Sequence, residues 1–382
     1  MPNLTSKTRT AATVAIAVFG SAVPAFAELK FDTKFGGHVS FYGQFDPALI
    51  SVDDGQQTNT RLLDNALSNS RLGLRYYRPL GEREFMFRFE TGLRLPSSAE
   101  WDQNGSFFSG WTIDDIRHFD FSLKGRWGKT SLGQGSMVSD GAATIDLSYV
   151  GLALYSFTND ENTSFIYRDP AGALSGPTIR DTADNFDGSR GWRARYDTPK
   201  FNGFTAGVSG GVAWGQNILD LSEDDDTLDL GVFYANTFEG GVQFAAGVAY
   251  ARRARDDNTG TRKDTMGSAS VLLRNGLSFT VAAGRREDDK VGASNPEYWY
   301  GKVAYEGQWL TWGKTGVGVD YYSGRDFVNQ GSDTHAWGIA LVQKIERINT
   351  DAYLKYRSHV FDDGTTRYQR NQTWVLGALW KF

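Results

Sequence analysis

The sequence predicts an all-β fold: a transmembrane antiparallel β-barrel of about sixteen strands. Three observations predict it. Apolar residues recur at every second position through most of the chain, which is the period of a strand with two unlike faces. The connections between these runs alternate between short turns and long acidic stretches. The alternation also runs to the carboxylate: in "TWVLGALWKF" the residues Trp374, Leu376, Ala378, Trp380 and Phe382 share one face. An untied chain end gains nothing from being apolar, so this end must be paired and covered.

Composition narrows the alternatives. The 382 residues contain no Cys, 44 Gly and 9 Pro, with 14% aromatics and a net charge of −5. The lack of Cys excludes disulfides and thiolate metal sites, and the absence of a basic excess speaks against nucleic acid as a partner. Residues 1–27 read as a cleaved secretory signal peptide: Lys7 and Arg9 precede an apolar run from Ala11 to Phe19, and "AFA" ends at Ala27. The barrel domain then spans 28–382. No later apolar run reaches the roughly 18 residues of a transmembrane helix.

The expected strands lie near 29–46, 70–78, 84–95, 115–126, 130–136, 190–198, 203–214, 227–238, 242–252, 264–274, 277–286, 297–307, 315–323, 335–346, 350–359 and 372–382. "FMFRFETGLRL" shows the pattern: Phe85, Phe87, Phe89, Leu93 and Leu95 oppose Met86, Arg88, Glu90, Gly92 and Arg94. Turns such as "RPLGER", "RWGK" and "EGG" join some pairs. Stretches such as "SVDDGQQTNTR", "LDLSEDDD" and "FDDGTTRYQR" read as long loops joining the others. A soluble barrel would turn its apolar face inward, and a membrane barrel turns it to lipid. The other face mixes Gly and Ala with Arg, Asp and Lys, which suits a wet lumen. Apolar runs end in Trp or Tyr (Trp214, Tyr234, Tyr250, Tyr321, Trp380), the residues that settle at a membrane–water boundary.

Several segments resemble the general diffusion porins of Gram-negative outer membranes. They are "VSFYGQFD" at 39–46, "NSRLGLRYYRPLG" at 69–81, "RHFDFSLKGRWGKTSLGQG" at 117–135 and "GSRGWRARYDTPKFNGF" at 188–204, with the terminal Phe382. The resemblance implies a sixteen-stranded barrel, a homotrimer in the cell outer membrane, and Phe382 as an assembly signal. It implies a third loop, here about 137–189, folded into the lumen with acidic residues facing a basic wall. Arg71 and Arg117 match the family's second- and fourth-strand arginines. Gln44 stands where some members carry Lys. The family's acidic loop motif is not recognisable, and Asp140 and Asp146 are the acids expected in its place.

Alternation places Arg71, Arg75, Arg88, Arg94, Lys124, Arg193 and Arg195 on the inward face, beside Glu90, Asp120 and Asp197. Arg117 breaks parity with the outward Phe119 and Phe121, so either a bulge intervenes or its strand starts later. "FIYRDP" at 165–170 has no counterpart in the family and reads as a possible added strand. His38, His118, His335 and His359 show no zinc-ligand spacing, and no nucleophile motif accompanies them, so no catalytic residue, metal or cofactor is expected. The acidic runs Asp224–Asp226, Asp256–Asp257 and Glu287–Asp289 read as solvated loop tips or as divalent-ion sites toward lipopolysaccharide.

The function expected is a water-filled pore for passive diffusion of ions and small hydrophilic solutes. A sugar- or phosphate-specific channel and a structural or adhesive barrel stay open as alternatives. Outer-membrane lipid, lipopolysaccharide, solutes and two further copies are the expected partners. Deleting Phe382, or changing it to Asp, should lower the amount of folded protein in the outer membrane, measured by heat-modifiable gel mobility. An unchanged level would refute the closure role.

Overall fold

The computed structural model describes residues 29–105, 110–112, 115–213, 226–254 and 260–382. The leader at 1–27, Trp214 and the loop acids Asp224, Asp225, Asp256 and Asp257 lie outside the described residues.

The chain opens with β1 (Leu29–Asp32), β2 (His38–Phe45), β3 (Pro47–Asp53) and β4 (Thr58–Asp64). β5 (Arg71–Leu80), β6 (Arg83–Gly92), β7 (Ile116–Gly125) and β8 (Gly128–Ser136) follow, joined by short turns and one long segment. β9 (Ile166–Arg168) and β10 (Leu174–Thr178) form a separate hairpin. The meander resumes with β11 (Arg190–Asp197), β12 (Phe204–Ala213), β13 (Asp226–Thr237), β14 (Gln243–Ala254), β15 (Thr261–Leu272) and β16 (Leu277–Asp288). It ends with β17 (Glu297–Leu310), β18 (Gly313–Arg325), β19 (Asp333–Ile345), β20 (Thr350–Asp362) and β21 (Asn371–Lys381).

Nineteen of these segments form one antiparallel sheet that closes on itself. β21 pairs with β20 on one edge; on the other it pairs with β3 along Gln372–Gly377 and with β2 at Gln44 and Phe45. Phe382 completes the seam: its N–H donates to the Gly43 carbonyl at 3.1 Å, and its carbonyl accepts from Gly43 N–H at 2.9 Å. β1 continues along β2 below that point, with Leu29 opposite Phe41. β2 with β3, and β4 with β5, each make one column around the barrel. The result is a closed barrel of sixteen columns, one for each expected run.

Three details differ from the alternation reading. The first run is broken at 33–37 by a turn in which Gly36 and Gly37 take φ of 77° and 89°, so Phe35 sits exposed in the turn. The stretch expected as the first long loop is instead the β3–β4 hairpin. Ala48, Ile50, Val52 and Leu63 of this hairpin point inward and are buried, while Leu49 and Leu62 are outward and exposed. "FIYRDP" supplies β9, which pairs only with β10 and adds nothing to the barrel wall.

Elsewhere the outward face is apolar, as lipid requires. Val208, Val248, Trp374, Leu376 and Trp380 are exposed on it, and their neighbours Ser209, Val375 and Leu379 are buried on the inner face. The inner face is not simply polar. Ile50, Val52, Val342, Val375, Leu379 and Phe361 form a buried cluster with Trp101, Val150, Leu154, Phe165, Tyr167 and Ile179, which come from the segments 93–115 and 137–189. The barrel therefore holds an apolar core inside its wall. The small inward residues of β13 and β14 make room for the same segment: a Cβ on Gly231 would lie 2.8 Å from Val138, and one on Gly247 would lie 2.7 Å from Ile145.

Val248→Arg should destabilise the barrel by roughly 2–4 kcal/mol, because it places a cation at mid-strand on the lipid face. Gly247→Arg, one residue along, should leave the barrel folded and displace Ile145. Urea titration in lipid vesicles and single-channel conductance separate the two effects. A stable Val248→Arg barrel would reverse the assignment of faces.

Candidate functional site

The inward residues of β5, β6, β7, β8 and β11 form a charged wall. Its centre is a single row of cross-strand partners: Arg75 opposite Arg88, Arg88 opposite Asp120, Asp120 opposite Gly133, and Gly133 opposite Arg193. Asp120 is 1% exposed and accepts from both ends of Arg88, with Nε–Oδ1 at 3.0 Å and Nη2–Oδ2 at 3.1 Å. Arg193 donates to the same carboxylate at 2.8 Å and to the carbonyls of Ser136 and Gly133. These charge-assisted bonds hold two guanidinium planes in fixed orientation.

One step toward the long-loop end, Glu90 organises a second group. It accepts from Arg117 Nε at 2.7 Å and from the Tyr42 hydroxyl at 2.9 Å, with Arg71 Nε 3.8 Å away. The Arg75 guanidinium lies 3.9 Å over the Tyr42 ring, a cation–π placement. Gly73 has no side chain to obstruct that ring. Arg117 reaches Glu90 because a bulge intervenes. The register pairs Glu90 with His118 and Thr91 with Ile116, which leaves Arg117 as the extra residue. Of the two explanations for its broken parity, the bulge is the one present.

The segment 137–189 lies against inward side chains on the other side. Val138 N–H donates to Ser209, Ile145 N–H to Ser268 and Leu147 N–H to Ser270, each at 2.8 to 2.9 Å. Buried ion pairs fasten it: Lys302 to Asp146, and Lys355 to Glu161. Beneath them Arg357 and Asp320 form a two-pronged pair that is 0% exposed on both sides. His359 meets the Thr158 carbonyl at 3.0 Å, and Asn162 bonds Asn371 and Thr373. Trp101, from the preceding loop, packs on Phe165 with ring centroids 4.8 Å apart and donates to the Glu161 carbonyl. At the far end Asp187 accepts from the amides of Gly141 and Ala143. Burial, outweighing those bonds, raises its carboxyl to about 7.

The structure brings together Arg71, Arg75, Arg88, Arg117, Arg193 and Arg195 on one wall, where Arg195 pairs with Asp197 and donates to the Ser136 and Met137 carbonyls. Two expected members stand apart. Arg94 follows β6 with φ of 51° and pairs with Glu100 and Asp115 in the 93–115 loop. Lys124 is exposed at the short-turn end of β7, one residue from Gly125. Of the two expected acids, Asp140 lies near a cation that neighbours this wall and Asp146 does not. Asp146 does not meet the arginine wall: Lys302 engages it, and it accepts from Thr280 at 2.9 Å, on strands β16 and β17. Asp140 interacts with Arg190 and Asp187. Gln44 supplies no wall charge; it is 6% exposed and donates to Ser68 and Asn69.

Lys302 and Lys355 were not legible as latches, because on inward parity they resemble any lumen charge. Among the described residues no cluster of three or more His, Asp or Glu side chains is placed to hold a metal ion.

The profile of the Gram-negative porin family matches residues 11–364. No curated protein sequence matches the chain at a significant level. Among solved structures, OprB of Pseudomonas putida superposes with a TM-score of 0.59 at 10% identity, covering 91% of this chain and 94% of its own. OmpF of Salmonella typhi, in complex with daunomycin, gives 0.56 at 12% identity, covering 93% and 100%. A trimer form of the Vibrio cholerae outer membrane protein OmpT gives 0.55 at 14%, covering 91% and 100%. At these identities the likeness is one of fold.

Lys355→Met leaves Glu161 buried without its cation, a change that costs about 3–5 kcal/mol in such settings. The expected outcome is a folded barrel whose 137–189 segment is loosened, read as larger and noisier single-channel currents. Lys355→Met with Glu161→Gln should restore much of the quiet state. Currents unchanged in the single variant would show that this pair does not hold the segment.

Proposed function

From the premise that the chain belongs to the Gram-negative porin family and is an outer-membrane channel, we propose that it is a general diffusion pore. Ions and small hydrophilic solutes move through it down their own gradients. The observation that carries this reading is the closed barrel with lipid-facing Val, Leu and Trp outside and a wall of charged side chains within. The segment 137–189 is proposed to narrow the lumen from the side facing that row. Solutes then pass between fixed guanidinium groups and the segment, in a gap whose field sorts them by charge. No bond is made or broken, so the reading is a channel and not an enzyme.

A sugar-specific channel needs aromatic rings open to the lumen. The inward Tyr300, Tyr322 and Tyr353 are at most 2% exposed. They are engaged by Asp320, Asp184 and Asp46 respectively, which favours the general pore. The homotrimer is proposed on the outward aromatic cluster of β6 and β7, where Phe87 lies 5.5 Å from Phe119 and 5.0 Å from Phe121. Such a face suits a second copy as well as lipid. Residues 1–27 are proposed to be removed on export, and the outer rim to meet lipopolysaccharide.

The purified protein should raise the conductance of a planar bilayer in discrete steps, and vesicles containing it should swell in isotonic solutions of small sugars but not of large ones. A folded, inserted barrel with neither property would favour the structural or adhesive alternative.

A further inference from the structure

We propose that the loop joining β18 and β19, residues 326–332 at the long-loop end, is a handle on the segment 137–189: a load placed on this loop passes through the stack of Phe327 on Phe186 and frees the end of the segment. The proposal rests on the channel reading above and adds a way in which the bore can be regulated from the long-loop side.

The segment rejoins the barrel wall through residues 184–189, and this stretch is pegged from several sides. The Tyr322 hydroxyl donates to the Asp184 carbonyl at 2.8 Å and accepts from the Asp184 amide at 3.2 Å. Arg286 holds the Asp184 carboxylate at 3.2 Å, and its guanidinium lies 4.4 Å over the Phe186 ring, a cation–π placement. Phe186 is 2% exposed and sits between two rings: Tyr298, edge-on with centroids 5.5 Å apart, and Phe327, stacked, also at 5.5 Å. Tyr298 stacks in turn on Tyr322. Two glycines leave room for this column. A Cβ on Gly284 would lie 2.7 Å from the Tyr298 ring and 3.0 Å from the Phe186 ring, and one on Gly324 would lie 2.7 Å from the Phe327 ring. Phe327 brings the column out to a loop whose next residues, 328–331, are exposed.

A second observation makes this contact releasable. Phe186 has a φ of 54°, in the left-handed region that a bulky side chain occupies only where its surroundings hold it there. The column holds it, together with the Asp184 carboxylate, which accepts from the amides of Asn185 and Phe186 at 2.8 and 3.1 Å. Without Phe327 the ring loses support on one face while the strain stays, so the backbone at Phe186 has a reason to relax. The next residue is Asp187, which ties this end of the segment to the amides of Gly141 and Ala143 near its beginning. A turn of the backbone at Phe186 therefore reaches both ends of the segment. The loop is braced well enough to pass on a load. The Asp326 N–H donates to the Ser332 carbonyl at 2.8 Å, the Asp326 carboxylate accepts from Gly331 N–H at 2.6 Å, and Asn329 donates to the Asp363 carbonyl at 2.9 Å. Coupling between distant groups is carried by packed elements that have two arrangements. Here they are a strained, stacked one and a relaxed, unstacked one.

The chain has no Cys, so Gln330→Cys gives a single attachment point, and a bulky maleimide reagent supplies the load. Single-channel currents are compared before and after labelling, with the stack intact and with Phe327→Ala added. With the stack intact, labelling should raise the frequency of current jumps about fivefold or more, the scale of ordinary coupling between sites. With Phe327→Ala the unlabelled channel should already be noisy, and the label should change it little. Phe327→Tyr keeps the ring and should respond as the native loop does. An equal effect of the label in both backgrounds would mean plain obstruction of the mouth, and no effect in either would mean that loop and segment are independent; each result overturns the proposal. Hydrogen exchange of the amides at 184–187, measured on the full chain in lipid vesicles, reads the same coupling without current and should quicken on labelling only with the stack intact. Exchange that responds in a barrel that does not conduct would remove the channel reading and leave the coupling standing. Exchange that does not respond would overturn the coupling whatever the current does.

Discussion

No backbone amide or carbonyl of a strand in hydrocarbon can be left without a partner, and the rest of this structure follows from that requirement. An open sheet of this length would present two unpaired edges to lipid. Closure removes them, and it is achieved by pairing the last strand with two segments of the first column, β3 and then β2. Phe382 makes both of its seam hydrogen bonds to Gly43. The apolar residues that run to the end of the chain are the side-chain counterpart of that pairing. Once the ring is closed, one face of every strand looks at lipid and the other at the interior.

The lipid requirement is also what made the fold legible. Hydrocarbon imposes one rule on every outward position, so Val208, Val248 and Trp374 could be placed from parity alone. No comparable rule governs the inner face, and there the reading fell short. Ala48, Ile50 and Val52 point inward and are fully buried, since what they meet is the apolar side of another segment and not water. The hairpin that carries them therefore passed for a polar loop. The inward Gly and Ala positions read as signs of a wet lumen, whereas Gly231 and Gly247 are seats for Val138 and Ile145.

The charged wall was partly legible for the same reason. Arg71, Arg75, Arg88, Arg193 and Arg195 are inward by simple alternation, and the bulge that turns Arg117 inward showed as a broken parity. What alternation does not carry is partnership. Nothing in the spacing of Asp146 says that Lys302, 156 residues later, neutralises it, and nothing in Arg94 says that its backbone leaves the strand. Contacts across the interior depend on how a connecting segment is folded, and the period of the strands does not record that.

The buried cluster inside the barrel has a consequence for how the molecule is put together. Ile50 and Val52 belong to the first column and Val375 and Leu379 to the last, yet all four pack in one core with Val150, Leu154 and Phe165. The core straddles the seam. Joining the two ends of the sheet and burying the connecting segment thus draw on one set of contacts, with the segment lying like a mandrel inside the final turn of the cylinder. Contacts so far apart along the chain form late and slowly. The bore is then set during assembly: a barrel that closed with its mandrel left outside would be a different, wider tube, with its inner apolar residues wet.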